Sequence, residues 1–388
     1  MSVLYSSPPD FSGKILNVQV KNKIIQNINK TSILQQTAFW SSVKRKQGIT
    51  SKAFDIKIKA SDLYINSDKK NQVVDDILIL FQELGNYNIG YVPYGPTIKP
   101  SGEYQGPFLE ELSESLRPYL PPNCILLRYD LLWESLWAKE DAYFDSNGNW
   151  TGPPAKKNQE IRLNFDTQNW NLRKANTNVL PSDTLFIDLG KDNDQLLGDM
   201  KSKTRYNVRL SLRKGVHVRK AKIKDLDIWY DLYRETCARN GIFLHDLAYF
   251  QAVLATKMND AQSPAEVELL IAEIDHHPLA AMFFVVSNKR ATYLYGASSS
   301  TNRNYMATYA LQWEAIKRAK MKGCTEYDMF GVAPNPNTSH PMYGLYRFKT
   351  GFGGDLFHRM GCWDYPLDAD NYKIYLTTEM KSQGYHLN

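Results

Sequence analysis

Cysteine is scarce. Four thiols, Cys124, Cys237, Cys324 and Cys362, are scattered over 388 residues with no CxxC pair. That excludes a disulfide framework and a zinc ribbon and fits reduced thiols in a cytoplasmic protein. Long apolar runs are missing too. The longest, "LAAMFFVV" at residues 279–286, is far too short to cross a bilayer, so no integral membrane segment is expected. The opening "MSVLYSSPPDFSGK" has no basic start followed by an apolar core, so it does not read as a signal peptide. "FKTGFGGD" lacks the GKS/T of a phosphate loop, and its glycines read as turn residues. There is no low-complexity tract and no visible internal repeat. No Ser/His/Asp or Cys/His constellation has meaningful spacing, and nothing calls for a metal or a cofactor.

One further absence is local. Residues 201–224, "KSKTRYNVRLSLRKGVHVRKAKIK", hold ten Lys or Arg and no Asp or Glu, although the whole chain is only +6. The rest of the chain is therefore net acidic. Solvated helix faces usually mix both signs, because i,i+4 acid–base pairs help the helix. A run of one sign repels itself and favours an anionic partner, with RNA phosphates or a pyrophosphate as candidates. Asp192 and Gln195 make a capping box, and Leu197, Met200, Thr204 and Val208 keep helical spacing up to a stop at Gly215. On that helix Lys201, Arg205, Arg209 and Arg213 recur every four residues and share a face. "VHVRKAKI" then reads as a strand.

What is present elsewhere is an α/β alternation in a chain long enough for two cores. "SILQQTAFWSSVKRKQG" reads as an amphipathic helix ending at Gly48. "NQVVDDILILFQELGNYNIGYVPYGP" reads as helix, glycine stop, strand and turn. "GPFLEELSESLRPYLPPNCILLRYDLLW" reads as helix, proline break and strand. Residues 141–178, rich in Gly, Pro and Asn, read as a loop insertion. Farther on, "VELLIAEIDHHPLAAMFFVVSNKRATYLYGASS" gives three antiparallel strands, followed by the helix of "NYMATYALQWEAIKRAKMKG" and the strand of "EYDMFGV". His276 and His277 fall in an exposed turn. Meander, helix, strand resembles the order of GNAT acyltransferases. Where acetyl-CoA enzymes of that type carry a glycine-rich pyrophosphate loop, this chain has "SSSTNRNYMATYA", with no glycine to form the backbone cradle. An acyl donor other than CoA is expected.

Taken together, "LPSDTLFIDLGKDNDQLLGDMKSKTRYNVRLSLRKGVHV", "SILQQTAFWSSVK", "YVPYGP", "ILLRYDLLW", "YLYGASSSTNRNYMATYALQWEAIKRAKMKGCTEYDMFG" and "LYRFKTGFGG" resemble the FemABX peptidyltransferase family, in the family's order, over residues 32–364. The resemblance implies an α/β (α+β) fold of two GNAT-like domains with mixed central sheets flanked by helices. The first would span residues 1–190, completed by 359–388, and the second residues 191–358. No coiled-coil arm interrupts the second, as in members that use a soluble UDP-linked precursor.

The implied activity is transfer of an amino acid from aminoacyl-tRNA to the stem peptide of a peptidoglycan precursor in the cytoplasm, for cell-wall biogenesis and cell shape. The acceptor is UDP-MurNAc-pentapeptide or its lipid-linked form, with peripheral membrane contact in the second case. Position by position, the resemblance implies substrate contacts at Lys44, Tyr249 and Tyr295, with Tyr293 as the alternative to Tyr295. His245 stands where the family has Arg. Phe348, Lys349 and Asp130 take the catalytic positions, although the Pro that often follows the Asp is absent.

The reaction is acyl transfer from an ester to an amine. It needs a cation or hydrogen-bond donor aimed at the tetrahedral oxyanion, and Lys349 is the candidate, its neighbours Tyr346, Phe348 and Phe352 lowering the local dielectric. Lys201, Arg205, Arg209 and Arg213 are then the tRNA-docking stripe. Two other classes fit the same fold: an acyl-CoA-dependent GNAT N-acyltransferase, and a non-catalytic RNA-binding protein.

Overall fold

The computed structural model describes residues 16–65 and 71–381. The segment examined above for a signal peptide, residues 1–14, lies outside the described residues, as do residues 382–388. The strands are β1 (Gln19–Lys23), β2 (Thr50–Lys59), β3 (Gln72–Leu84), β4 (Tyr87–Val92), β5 (Cys124–Glu134), β6 (Arg173–Lys174), β7 (Asp183–Asp188), β8 (His217–Lys220), β9 (Glu266–Ile274), β10 (His277–Ser287), β11 (Arg290–Ser298), β12 (Glu326–Asp328) and β13 (Asp355–Pro366). The helices are α1 (Ala38–Arg45), α2 (Gln105–Leu116), α3 (Lys156–Asn164), α4 (Asn193–Asp199), α5 (Ser202–Arg213), α6 (Leu226–Asn240), α7 (Leu247–Ala255), α8 (Ala307–Met321), α9 (Tyr343–Lys349) and α10 (Ala369–Lys381). No described helix exceeds 15 residues, so none forms a coiled-coil arm. None is long and apolar enough to cross a membrane.

All described strands join one mixed sheet in the order β1-β2-β3-β4-β5-β13-β7-β12-β11-β10-β9-β8, with β6 on the side of β13. One motif occurs twice. In the first half β2, β3 and β4 form an antiparallel meander, α2 crosses over, and β5 pairs parallel with β4. In the second half β9, β10 and β11 form the meander, α8 crosses over, and β12 pairs parallel with β11. A repeat invisible in the residues is thus plain in the topology. β13 joins the halves. Its residues 355–358 pair with β7, and from Arg359 onward it pairs with β5. Just before it, Gly353 and Gly354 have φ of +83° and +86°. A Cβ on Gly354 would meet the Phe186 carbonyl oxygen at 2.3 Å, so these glycines are turn residues that must stay small.

Three expectations need correcting. Residues 72–84 form β3 and not a helix. Ile77, Ile79 and Phe81 face one core while Leu78 and Leu80 face another, and a run buried on both faces hides its period of two. The helix read through residues 192–213 is two. The capping box of Asp192 and Gln195 is present, but the chain turns extended at Met200. Lys201 N–H then bonds the Gly351 carbonyl, which fixes the break. Residues 141–178 are not simply a loop, since they contain α3 and β6. Carboxylates hold their backbone: Glu110 of α2 accepts from the N–H groups of Gln168 and Asn169, and Glu160 of α3 accepts from that of Lys174.

The core that positions the site is shared by both halves. Phe39, Trp40 and Val43 of α1 and Leu78 and Leu80 of β3 pack with Trp229 and Tyr233 of α6, Phe250 of α7 and Phe283 of β10. The far end of the first half is locked by ions. Arg128, buried on β5, makes a bidentate pair with Asp364 of β13 (2.7 and 2.8 Å) and reaches Glu379 of α10 at 2.5 Å. Tyr372 adds a bond to Asp364 and Tyr375 one to Glu379. Arg128→Met would leave two carboxylates without their cation. The expected outcome is a loss of about 3–5 kcal/mol of stability, measured as a lowered urea midpoint.

Candidate active site

Four of the residues singled out above meet at one place. Lys44 sits in the last turn of α1, and its ammonium lies 5.3 Å from the Tyr249 ring and 5.0 Å from that of Trp40. Tyr249 is fixed by a cap: the Asp246 side chain accepts its N–H at 2.7 Å and starts α7. The Tyr249 and Tyr295 hydroxyls are 2.5 Å apart, which ties α7 to β11. His245 stacks on Tyr249 at 4.6 Å and meets Tyr295 edge-on at 6.0 Å. Burial brings Lys44 down to about 8, which leaves it charged at neutral pH. Burial, and then the charge of Lys44, push His245 down to about 4. The result is one cation, two phenols and a neutral imidazole, a set of donors suited to a phosphate or carboxylate.

Lys349 is at a second place. It ends α9, is only 3% exposed, and donates to the carbonyls of Gly331 (2.6 Å) and Phe330 (3.3 Å). An ammonium has three donors, so one remains. The Tyr293 ring lies 5.2 Å away. Burial lowers Lys349 to about 7, against a smaller opposing pull from Asp328. Phe348, the neighbouring candidate, faces elsewhere: it packs on Tyr309 and Phe352 in the core beneath α8. The ring that faces the Lys349 ammonium is that of Tyr293, whereas Tyr346, Phe348 and Phe352 are the neighbours expected from sequence.

A bulge separates these two places. Phe283 pairs with Tyr295 and Phe284 with Tyr293, so Leu294 is an extra residue on β11. Tyr295 consequently packs with the α1–α7 core and Tyr293 with the opposite core. The two tyrosines weighed as alternatives serve both sides of one strand. Here too the sheet opens. β11 pairs with β12 only from Arg290 to Thr292, and beyond Asp328 the chain bonds toward β7 through Met329 and Val332. The Lys349 ammonium lies between Tyr293 and that departing segment.

Asp130 is not brought to Lys349. It is fully buried on β5, where Oδ2 accepts from the Leu180 N–H (2.8 Å) and the Tyr91 hydroxyl (3.0 Å). Oδ1 has no hydrogen-bond partner among the described residues. Burial raises its pKa, and the lysine that acts on it is Lys174. The carboxylate beside Lys349 is Asp328, which sequence reading missed. It accepts from the Thr184 hydroxyl and from the Phe330 N–H at 2.8 Å, and lies 3.7 Å from the buried Arg359. This grip holds Phe330 at φ +60°, a conformation uncommon outside glycine, and so aims the two carbonyls at Lys349. The only trace in sequence is an Asp closing the strand of "EYDMFG".

The basic stretch divides into three. Arg205 Nη1 donates to the carbonyls of Leu197, Gly198 and Met200, so it caps α4. Arg219 and Lys220 on β8 pair with Glu273 and Glu268 of β9, so the acids absent from the segment arrive from the next strand. Lys201, Lys203, Arg209 and Arg213 remain exposed on or beside α5, Lys201 touching Thr350 at 3.3 Å.

Comparisons with known proteins bear on the family and the fold. A profile of the FemAB family matches residues 22–275 and 257–379. The lipid II:glycine glycyltransferase of Staphylococcus saprophyticus is 26% identical over 253 residues, 50% of this chain and 61% of that protein. The protein of the same name from Staphylococcus aureus is 24% identical over 258 residues, again 50% and 61%. The chain thus matches about three-fifths of the length of these relatives. A crystal structure of FemX superposes with a TM-score of 0.67 at 17% identity, covering 91% of this chain and 96% of that one, a likeness of fold.

The buried lysine has a consequence for stability. Its folded pKa of about 7 lies below the 10.5 of an unburied lysine. Between those values the unfolded chain holds a proton that the folded one does not, so stability rises with pH across that window. Below pH ~7 both forms are charged and burial costs its full penalty. Lys349→Met should therefore raise the urea midpoint at pH ~6 relative to the wild type, with the gap shrinking toward pH ~10. A gap that does not change with pH would place the ammonium in water.

Proposed function

The chain belongs to the FemAB family, and on that premise we propose that it transfers an amino acid from aminoacyl-tRNA to an amine on the stem peptide of a peptidoglycan precursor, extending an interpeptide bridge on the cytoplasmic side. The observation that carries this reading is Lys349: a buried ammonium, held by two carbonyls with one donor left, where β11 and β12 part.

The neutral acceptor amine attacks the ester carbonyl. The C–N bond forms, the carbonyl oxygen becomes an oxyanion, and the third N–H of Lys349 meets it. Collapse breaks the bond to the ribose oxygen, which leaves with the proton the amine gives up. No covalent enzyme intermediate is needed, and positioning two large substrates supplies much of the rest. Lys44, Tyr249, Tyr295 and His245 hold a phosphate of the precursor. Phe348 supports α9 by packing. Asp130 acts through Tyr91 and Leu180 as a positioning residue. The exposed cations Lys201, Lys203, Arg209 and Arg213 meet the tRNA backbone. An acyl-CoA donor fits less well, since residues 299–306 contain no glycine and the backbone turns left-handed at Asn302 and Met306 instead.

The direct test is an in vitro reaction with a mixture of charged tRNAs and purified precursor, read as a mass increase on the stem peptide. No increase with any tRNA, together with tight acetyl-CoA binding by calorimetry, would reverse the choice of donor. Lys349→Met should cut single-turnover rate by roughly 10²–10³ with much smaller changes in substrate affinity. Arg should rescue poorly, because its planar fork places charge differently. The wild-type rate should fall above pH ~7 as the ammonium is lost, and the mutant's residual rate should lack that limb. Arg209→Glu with Arg213→Glu should weaken tRNA binding and flatten its salt dependence. Arg205→Glu should act instead through stability, seen as a lower Tm.

A further inference from the structure

Helix α5 begins beside Lys349 and runs away from it. Thr350 and Gly351 directly follow that lysine. The Lys201 ammonium reaches the Thr350 hydroxyl at 3.3 Å, and the Lys201 N–H bonds the Gly351 carbonyl at 2.9 Å. A Cβ on Gly351 would run into the Thr204 hydroxyl, so the first turn of α5 packs directly on this segment. From there 12 residues carry the helix about 18 Å to Arg213.

The outer face of α5 is basic and aromatic at once. Ser202, Tyr206, Arg209 and Arg213 fall at i, i+4, i+7 and i+11 and form one stripe, while Thr204, Asn207, Val208 and Ser211 on the other side are buried. Tyr206 is 56% exposed. A lone exposed ring would be ordinary, but this one stands among cations. The Arg213 guanidinium lies 6.0 Å from it, at the outer limit of cation–π contact, and so flanks the ring without covering it. The stripe ends on a second ring. Lys214 donates to the Asn304 carbonyl (2.8 Å) and lies 5.3 Å from the half-buried ring of Tyr305, in the turn that leads into α8. Arg303 of the same turn is exposed. α5 holds no acid, and Asp199 at the end of α4 is engaged by Lys191 at 2.7 Å. Rings set among cations suit unpaired nucleotides, since the cations follow the phosphates and each ring takes a base. A duplex keeps its base faces inside the stack and offers such rings nothing.

We propose that Tyr206 and Tyr305 are stacking platforms for unpaired nucleotides of the donor RNA. Arg209, Arg213 and Lys214 take the phosphates between them, and the single-stranded 3′ end is led along α5 to the segment that carries Lys349. The inference rests on the aminoacyl-tRNA reading above. It adds to that reading a grip on bases, which separates an unpaired strand from a duplex of the same charge.

The test titrates the whole chain with three probes by fluorescence anisotropy: a short unstructured RNA oligonucleotide, the same strand annealed to its complement, and whole tRNA. Tyr206→Ala should lose about fivefold or more in affinity for the single strand and for tRNA, and keep its affinity for the duplex. Tyr206→Phe, which keeps the ring, should bind like the wild type. Tm shows whether the variants are folded. A second measurement uses the wild type alone. The single strand is made with 5-iodouridine, irradiated in the complex, and the attachment mapped by mass spectrometry; Tyr206 or Tyr305 is expected to carry it. An alanine variant that binds the single strand as tightly as the wild type overturns the proposal, as does an equal loss for single strand and duplex. So does a Phe variant that fails like the alanine one, or a crosslink that maps only to other residues. In each of these cases tRNA still binds, so the donor reading stands while the stacking platforms fall. Wild-type protein that binds neither tRNA nor the single strand removes both.

Discussion

The arrangement depends on one strand that changes neighbours. β13 pairs with β7 over four residues and then with β5, so two repeated units become a single sheet. Without that exchange, α1 would have no reason to share a core with α6 and α7. Lys44 comes from the first half of the chain and Tyr249 from the second, and only the shared core keeps them within 5.3 Å. Arg128 clamps the same strand from the other side through Asp364.

Buried charge shapes the chemistry in a similar way. Lys349 is kept where its ammonium is costly, and the cost is tolerable because two carbonyls and Tyr293 surround it. Asp328 and Arg359 do not touch substrate in this scheme. They fix the turn at Phe330 that aims those carbonyls. Lys44 is held less severely and stays charged, as the phosphate contact proposed for it requires.

Much of this was legible in the residues, for identifiable reasons. Meander strands and the α8 helix announce themselves by turns and periodicity, and the capping box at Asp192 is a local signal. β3 was misread because burial on both faces erases alternation. β13 was missed because a strand that includes Gly361, ends at Pro366 and has three partners carries no single pattern. The cradle residues could be named from resemblance, yet their convergence depends on contacts between distant segments that no spacing encodes. The basic stretch misled for the same cause: charge balance is set by the neighbouring strand, and Glu268 and Glu273 lie nearly fifty residues or more from their partners.

The parting of β11 from β12 after Thr292 leaves a strand edge open within a sheet. An exposed edge on the rim of a protein invites pairing with any other sheet. Here the opening is flanked by Tyr293 and Lys349 and lies within the sheet. A guest held by main-chain groups along such an edge would be read by its length and backbone direction more than by its side chains. Pairing of that kind would leave a guest's side chains to be judged by other parts of the fold.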